Sequence, residues 1–268
     1  MTVGKRNRMN RILRPDTGRG LIIAVDHGMA LGPMTGIVDI AATIRSLAAT
    51  GRVDAWLLTK GILATCFEPD GRQGIILRAS GAATIAGEDL TNEGLTAGVD
   101  TALRLGADAL ATTAFIGSSY EHETLRNMAL LADECHRYDL PLLGVLGVGK
   151  ALEDKKLDPQ YLALGARVAV EHGADMVKTY YTPVDFERVI AGCPVPVMIA
   201  GGPKCETDLD TLKMIGGALA GGARGIVMGR NIWQSTRPVE LLDVVWRMIH
   251  EGLSVEEADR ALGARRRR

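Results

Sequence analysis

The stretch Glu171-His172-Gly173-Ala174-Asp175-Met176-Val177-Lys178-Thr179-Tyr180-Tyr181 ends a helical pattern, turns at a glycine and opens a short apolar strand that carries a lysine at its end. Two other stretches resemble its first half: Arg104-Leu105-Gly106-Ala107-Asp108-Ala109 and Ala220-Gly221-Gly222-Ala223-Arg224-Gly225. A helix that closes on a left-handed glycine cap and feeds straight into a strand is the recurring αβ turn of a parallel sheet.

Working outward from this unit, short apolar or β-branched runs recur eight times: Leu21 to Val25, Asp54 to Thr59, Gly74 to Arg78, Ala107 to Thr113, Leu140 to Leu146, Ala174 to Lys178, Val195 to Ala200 and Arg224 to Met228. Helical patterns fill most gaps, at Val38 to Gly51, Thr91 to Gly106, His122 to Tyr138, Pro159 to Gly173, Thr207 to Gly221 and Pro238 to Gly252. Strand–helix alternation repeated this often predicts a parallel sheet closed on itself, an α/β fold of the (β/α)8 TIM-barrel type. The 268 residues fit one such domain, 1–268, with an N-terminal arm over 1–20 and a basic tail over 264–268.

Composition narrows the function classes. Net charge is −1, so no field draws the chain to nucleic acid or an acidic membrane, and the four terminal arginines read as a solvated tail. Cys66, Cys135, Cys193 and Cys205 show no C-x-x-C pair, which argues against a disulfide framework and a structural zinc site and for a reducing cytoplasm. No apolar stretch reaches the roughly 18 residues of a membrane span, and no apolar signal core follows the basic N-terminus. The expectation is a soluble, unprocessed cytoplasmic enzyme.

In a barrel the segments after the strands meet at one face, where barrel enzymes build their sites. Here they are Asp26-His27-Gly28, Lys60-Gly61, Ser80-Gly81, Gly117-Ser118-Ser119, Gly147-Val148-Gly149-Lys150, Lys178, Gly201-Gly202 and Gly229-Arg230. Lys178 stands where a carbonyl-attacking amine is wanted. At a pKa of about 10.4 only about one amine in a few thousand is neutral at pH 7, so the site has to desolvate it or crowd it with positive charge. Asp26 and His27 are candidates to move protons on substrate hydroxyls. Gly201, Gly202, Gly229 and Arg230, with Lys204 nearby, suit a phosphate, because backbone N–H groups approach closely where no side chain intervenes. Lys60 reads equally as a second cation that depresses the Lys178 pKa, a phosphate ligand or a strand cap. His122 reads as a capping or core histidine, and Trp56, Trp233 and Trp246 as core or subunit-contact residues.

The motifs Arg11-Ile12-Leu13-Arg14-Pro15-Asp16-Thr17-Gly18, Val25-Asp26-His27-Gly28, Lys178-Thr179-Tyr180-Tyr181 and Gly229-Arg230-Asn231-Ile232-Trp233-Gln234 resemble class I aldolases of the archaeal fructose-bisphosphate aldolase type, in the deoxyribose-phosphate aldolase superfamily. Leu77-Arg78-Ala79-Ser80-Gly81-Ala82, Ile116-Gly117-Ser118-Ser119-Tyr120-Glu121-His122 and Gly147-Val148-Gly149-Lys150 are most similar to the subfamily of thiolases that act on a phosphorylated diketone. The resemblance implies Lys178 as the Schiff-base lysine, Asp26 and His27 facing the substrate, Gly201, Gly202, Gly229 and Arg230 holding its phosphate, and a large ring-based homo-oligomer, up to a decamer. It implies no cofactor, with coenzyme A as a co-substrate if the thiolase reading holds. One departure stands out: the aldolases carry a tyrosine acid after the fifth barrel strand, and Val145 to Lys150 contains none. A metal-dependent aldolase is a rival, but His27 and His122 are the only histidines near strand ends. A non-catalytic barrel that binds sugar phosphates would keep the glycines and Arg230 without needing Lys178.

Overall fold

The computed structural model describes residues 1–264. Eight parallel strands close into a barrel, β1 Gly20–Ala24, β2 Ala55–Thr59, β3 Gly74–Arg78, β6 Ala109–Ile116, β7 Leu142–Val148, β8 Met176–Thr179, β9 Val197–Ala200 and β10 Gly225–Met228, and β1 pairs with β10 to complete the ring. Each expected run overlaps one of them. A further hairpin, β4 Ser80–Gly81 with β5 Gly94–Leu95, lies outside the barrel order and pairs antiparallel.

The hairpin corrects the helix expected over 91–106, which forms only at Val99–Arg104. Residues 91–98 instead carry the return strand, and Gly94 and Gly98 weaken any helix there. The N-terminal arm also has more structure than its charge suggests. Val3–Ile12 is a helix, capped by the Thr2 hydroxyl, which accepts from the Lys5 N–H at 3.2 Å. The last four arginines of the basic tail lie outside the described residues.

Strand alternation separates two apolar clusters. Outward residues such as Leu21, Trp56 and Leu77 pack under the helices. Inward residues from all eight strands, among them Ile22, Ala55, Ile76, Leu143 and Met176, form a second cluster with Met9, Ile12 and Leu13. The N-terminal helix therefore plugs the end of the barrel where the strands begin. It sits so close that a Cβ at Gly20 would meet the Ile12 carbonyl oxygen at 2.7 Å, and one at Gly74 the Arg11 carbonyl oxygen at 2.4 Å. At the same end the Thr17 hydroxyl lies 3.0 Å from His250 Nδ1, and His250 Nε2 lies 2.8 Å from Asp54, which ties the arm to the last long helix, Pro238–His250. Trp56 and Trp233 are core residues, whereas Trp246 is partly buried with the Arg52 guanidinium stacked 4.1 Å from its ring centre. Among the described residues no helix is long and apolar enough to cross a membrane.

Candidate active site

At the open end the inward positions change character. Continuing the inward alternation by one repeat leads from Ala24 to Asp26 just past the end of β1, from Ile76 to Arg78 on β3, from Ala111 to Thr113 on β6 and from Met176 to Lys178 on β8. Lys178 pairs in register with Val145 and Met198, both in the inner cluster, so the amine rises directly from an apolar floor. Burial pushes the Lys178 pKa down; Asp26 opposes this, and Arg78 and Arg230 add to it. Both devices asked of a nucleophilic amine, desolvation and neighbouring positive charge, are present together.

Asp26 is 6% exposed. Burial disfavours its charged form, but Arg78, Lys178 and His27 outweigh burial and hold the carboxyl below the ordinary carboxylate range. The imidazole of His27 stands edge-on to Trp233, with ring centres 5.5 Å apart. Its Nδ1 is 3.6 Å from Asp26, too long for a hydrogen bond. Burial, reinforced by Lys178, Arg230 and Arg78 and opposed by Asp26, lowers the His27 pKa to about 4, so the ring is neutral at pH 7.

Gly201, Gly202, Gly229 and Arg230 come together at one edge of the mouth, and Asn231 holds them there. Its side-chain amide donates to the Gly201 carbonyl at 2.7 Å while its oxygen accepts the Cys205 N–H at 2.7 Å, which fixes the loop after β9 against the short helix Arg230–Trp233. Gly229 admits no side chain, since a Cβ would lie 2.6 Å from His27 and 2.8 Å from the Trp233 indole nitrogen. Arg230 Nε is buried and finds no hydrogen-bond partner among the described residues. A cavity of about 530 Å3 opens here, lined by Gly201, Gly202, Lys204, Arg230, Tyr180 and Gly147. An orphaned guanidinium N–H beside small residues and a lysine suits an anion. Lys204 is 3.5 Å from Asp208 and remains at the rim.

Lys60 is not drawn into this group. It follows Thr59 on the outward parity, and its amine donates to the Thr96 carbonyl at 2.7 Å on the strand end of the hairpin. His122 is exposed, and it is the Glu121 carboxylate that accepts the Gly117 N–H at the start of the helix Glu121–Arg137, so neither the capping nor the core reading of His122 holds. Gly147 takes an inward position one repeat beyond Val145, and the Phe115 ring fills the space so closely that a Cβ at Gly147 would lie 2.5 Å from it. Tyr180 and Tyr181 both border the cavity, and Tyr181 also stacks edge-on with Phe186 and turns its hydroxyl towards Gly217.

Sequence reasoning passed over Arg78 and Asn231. Arg78 carries the signal that marked Lys178, a charged residue on the inward parity at the end of an apolar strand. Asn231 stands next to Arg230 and shows its role only once two loops meet.

Comparison with known proteins places the chain among aldolases. The sequence profile of the DeoC/LacD family aldolases matches residues 20–235. A 3-hydroxy-5-phosphonooxypentane-2,4-dione thiolase of Escherichia coli K12 is 41% identical over 258 residues, covering 96% of this chain and 85% of that protein. The crystal structure of an archaeal fructose 1,6-bisphosphate aldolase superposes with a TM-score of 0.83 at 29% identity, over 92% of this chain and 100% of that one. A further archaeal fructose-1,6-bisphosphate aldolase structure, with its catalytic lysine covalently bound to the carbinolamine intermediate of the substrate, gives 0.82 at 29% identity, over 91% and 99% of the two chains.

Proposed function

This chain belongs to the DeoC/LacD family of aldolases and is an aldolase-type enzyme, and from that premise we propose that it makes or breaks a carbon–carbon bond in a short phosphorylated ketone or ketose through an imine on Lys178. The observation that carries the reading is the inward, half-buried Lys178, with Asp26 beside it and Arg78 and Arg230 lowering its pKa. The neutral amine adds to the substrate carbonyl, and the carbinolamine loses water to give a protonated imine. In the cleavage direction Asp26, or His27 acting as a neutral base, takes the proton of the β-hydroxyl. The carbon–carbon bond then breaks, an aldehyde leaves, and the electron pair passes into the imine as an enamine, which is protonated and hydrolysed. The phosphate lies on Gly201, Gly202, Gly229 and Arg230, with Lys204 at the rim.

The inward glycine at 147 favours a second reading. With no tyrosine to act as acid, a thiol takes the place of the hydroxyl route: it gives its proton to a base and adds as thiolate to the second carbonyl of a phosphorylated diketone held as the imine, the carbon–carbon bond between them breaks with its electron pair passing into the imine as an enamine, and an acyl thioester leaves. Coenzyme A is the thiol of this alternative, as the relatedness to a phosphonooxypentanedione thiolase suggests. On either reading the enzyme works in the cytoplasm as a homo-oligomer, up to a decamer by family resemblance.

Borohydride reduction in the presence of dihydroxyacetone phosphate, followed by peptide mapping, tests the lysine. Label is expected on Lys178; label on Lys60 or Lys204 with Lys178 clean overturns the assignment. Cleavage assays with and without coenzyme A then separate the readings, because acyl-thioester release selects the thiolase and thiol-independent aldehyde release the aldolase.

A further inference from the structure

A buried guanidinium is costly unless its donors are met, and Arg78 is only 5% exposed. Its Nε donates to the Ser80 carbonyl at 2.9 Å, and one terminal nitrogen donates to both oxygens of Glu93, at 2.9 and 2.8 Å, and to the Thr113 hydroxyl. Glu93 is gripped from its other side by the Ser80 hydroxyl, which donates at 2.7 Å and accepts the Thr113 N–H at 3.0 Å. The remaining terminal nitrogen faces Asp26 at 3.5 Å. An ion pair that only anchored the β4–β5 hairpin would need Glu93 alone. Here the guanidinium is shared between a carboxylate on the hairpin and one in the active site, and every member of the network is buried.

We propose that Arg78 is a positioning residue: clamped by Glu93, it fixes the orientation and the ionised state of Asp26 beside Lys178. The hairpin between β3 and β6 is then part of the catalytic apparatus, since it delivers the carboxylate that aims Arg78. The charged groups bearing on Lys178 are Asp26, Arg78 and Arg230, with His27 neutral nearby, and Arg78 itself faces Asp26 and Glu93. Removing Arg78 takes positive charge away from the amine, while neutralising Glu93 leaves that positive charge less compensated.

The inference rests on imine formation at Lys178, and its test is built to fail separately. The rate of borohydride-trapped adduct formation with dihydroxyacetone phosphate is measured against pH for the native enzyme, Glu93→Gln and the double variant Arg78→Met/Glu93→Met, which removes the Arg78–Glu93 ion pair as a unit. The double variant is expected to move the midpoint up by about one pH unit, and Glu93→Gln to move it down, with kcat about tenfold lower and KM within about twofold in both. Loosening of the fold alone would not shift the two midpoints in opposite directions. If the double variant does not fold, Glu93→Gln decides alone. Midpoints unchanged from the native enzyme overturn the inference and leave the Schiff-base reading intact. No trapped adduct in the native enzyme at any pH removes that reading instead.

Discussion

The two ends of the barrel are built on the same strands and differ by one repeat. Ala24, Ile76 and Met176 belong to a closed apolar plug, and Asp26, Arg78 and Lys178, two residues further along, make a charged mouth. That step is only about 7 Å along a strand. The comparison shows how little separates stability from chemistry here. Below, a helix covers an inner cluster that carries no charge; above, the same floor desolvates an amine, and Asp26, Arg78 and Glu93 set opposite charges side by side.

The largest effect should come from the mouth. Lys178→Ala is expected to lower turnover by at least about 10⁴-fold and to abolish trapped adduct, with denaturation unchanged, since it removes the covalent step and leaves the plug whole. Loss of cooperative unfolding in this variant would mean that the two ends are not separable. At the closed end, Ile12→Ala should cost about 2–5 kcal/mol in guanidinium denaturation while the folded fraction traps substrate at the native rate; impaired trapping would extend the site down to the plug. A smaller effect is expected from acid. The His27 pKa falls from 6.5 to about 4 on folding, so the unfolded chain takes up this proton first, and stability is lost as pH drops through that window. The share due to His27 is up to about 3 kcal/mol. His27→Gln should shrink the acid loss measured between pH 7 and pH 4, and equal losses in both proteins would show that the ring is not held neutral. Last, Arg230→Ala should raise KM for phosphorylated substrates by removing a contact of about 1.5–3 kcal/mol. An equal loss on the dephosphorylated analogue would place the phosphate elsewhere.

The strands were legible because burial on both faces writes them as continuous apolar runs that start after glycine turns. The plug was not, since Val3–Ile12 is mostly polar and buries only Met9 and Ile12 of its own residues, which leaves no amphipathic period to read. Lys178, Asp26 and His27 could be picked out from their positions at strand ends. Glu93 could not: it lies in a glycine-flanked loop, fifteen residues after the arginine it meets, and only the hairpin register brings the two together. Lys60 shows the limit of strand-end reasoning, because one residue of parity sends a side chain out of the barrel.

The pairing of β1 with β10, from Gly20↔Gly225 to Ile23↔Met228, also constrains how the chain is made. During synthesis the first barrel strand waits for its second neighbour until almost the whole polypeptide has left the ribosome, so its free edge is exposed to other nascent chains for nearly the entire elongation time. Fragments that stop before residue 225 keep that edge open and are expected to aggregate, however many complete βα units they contain.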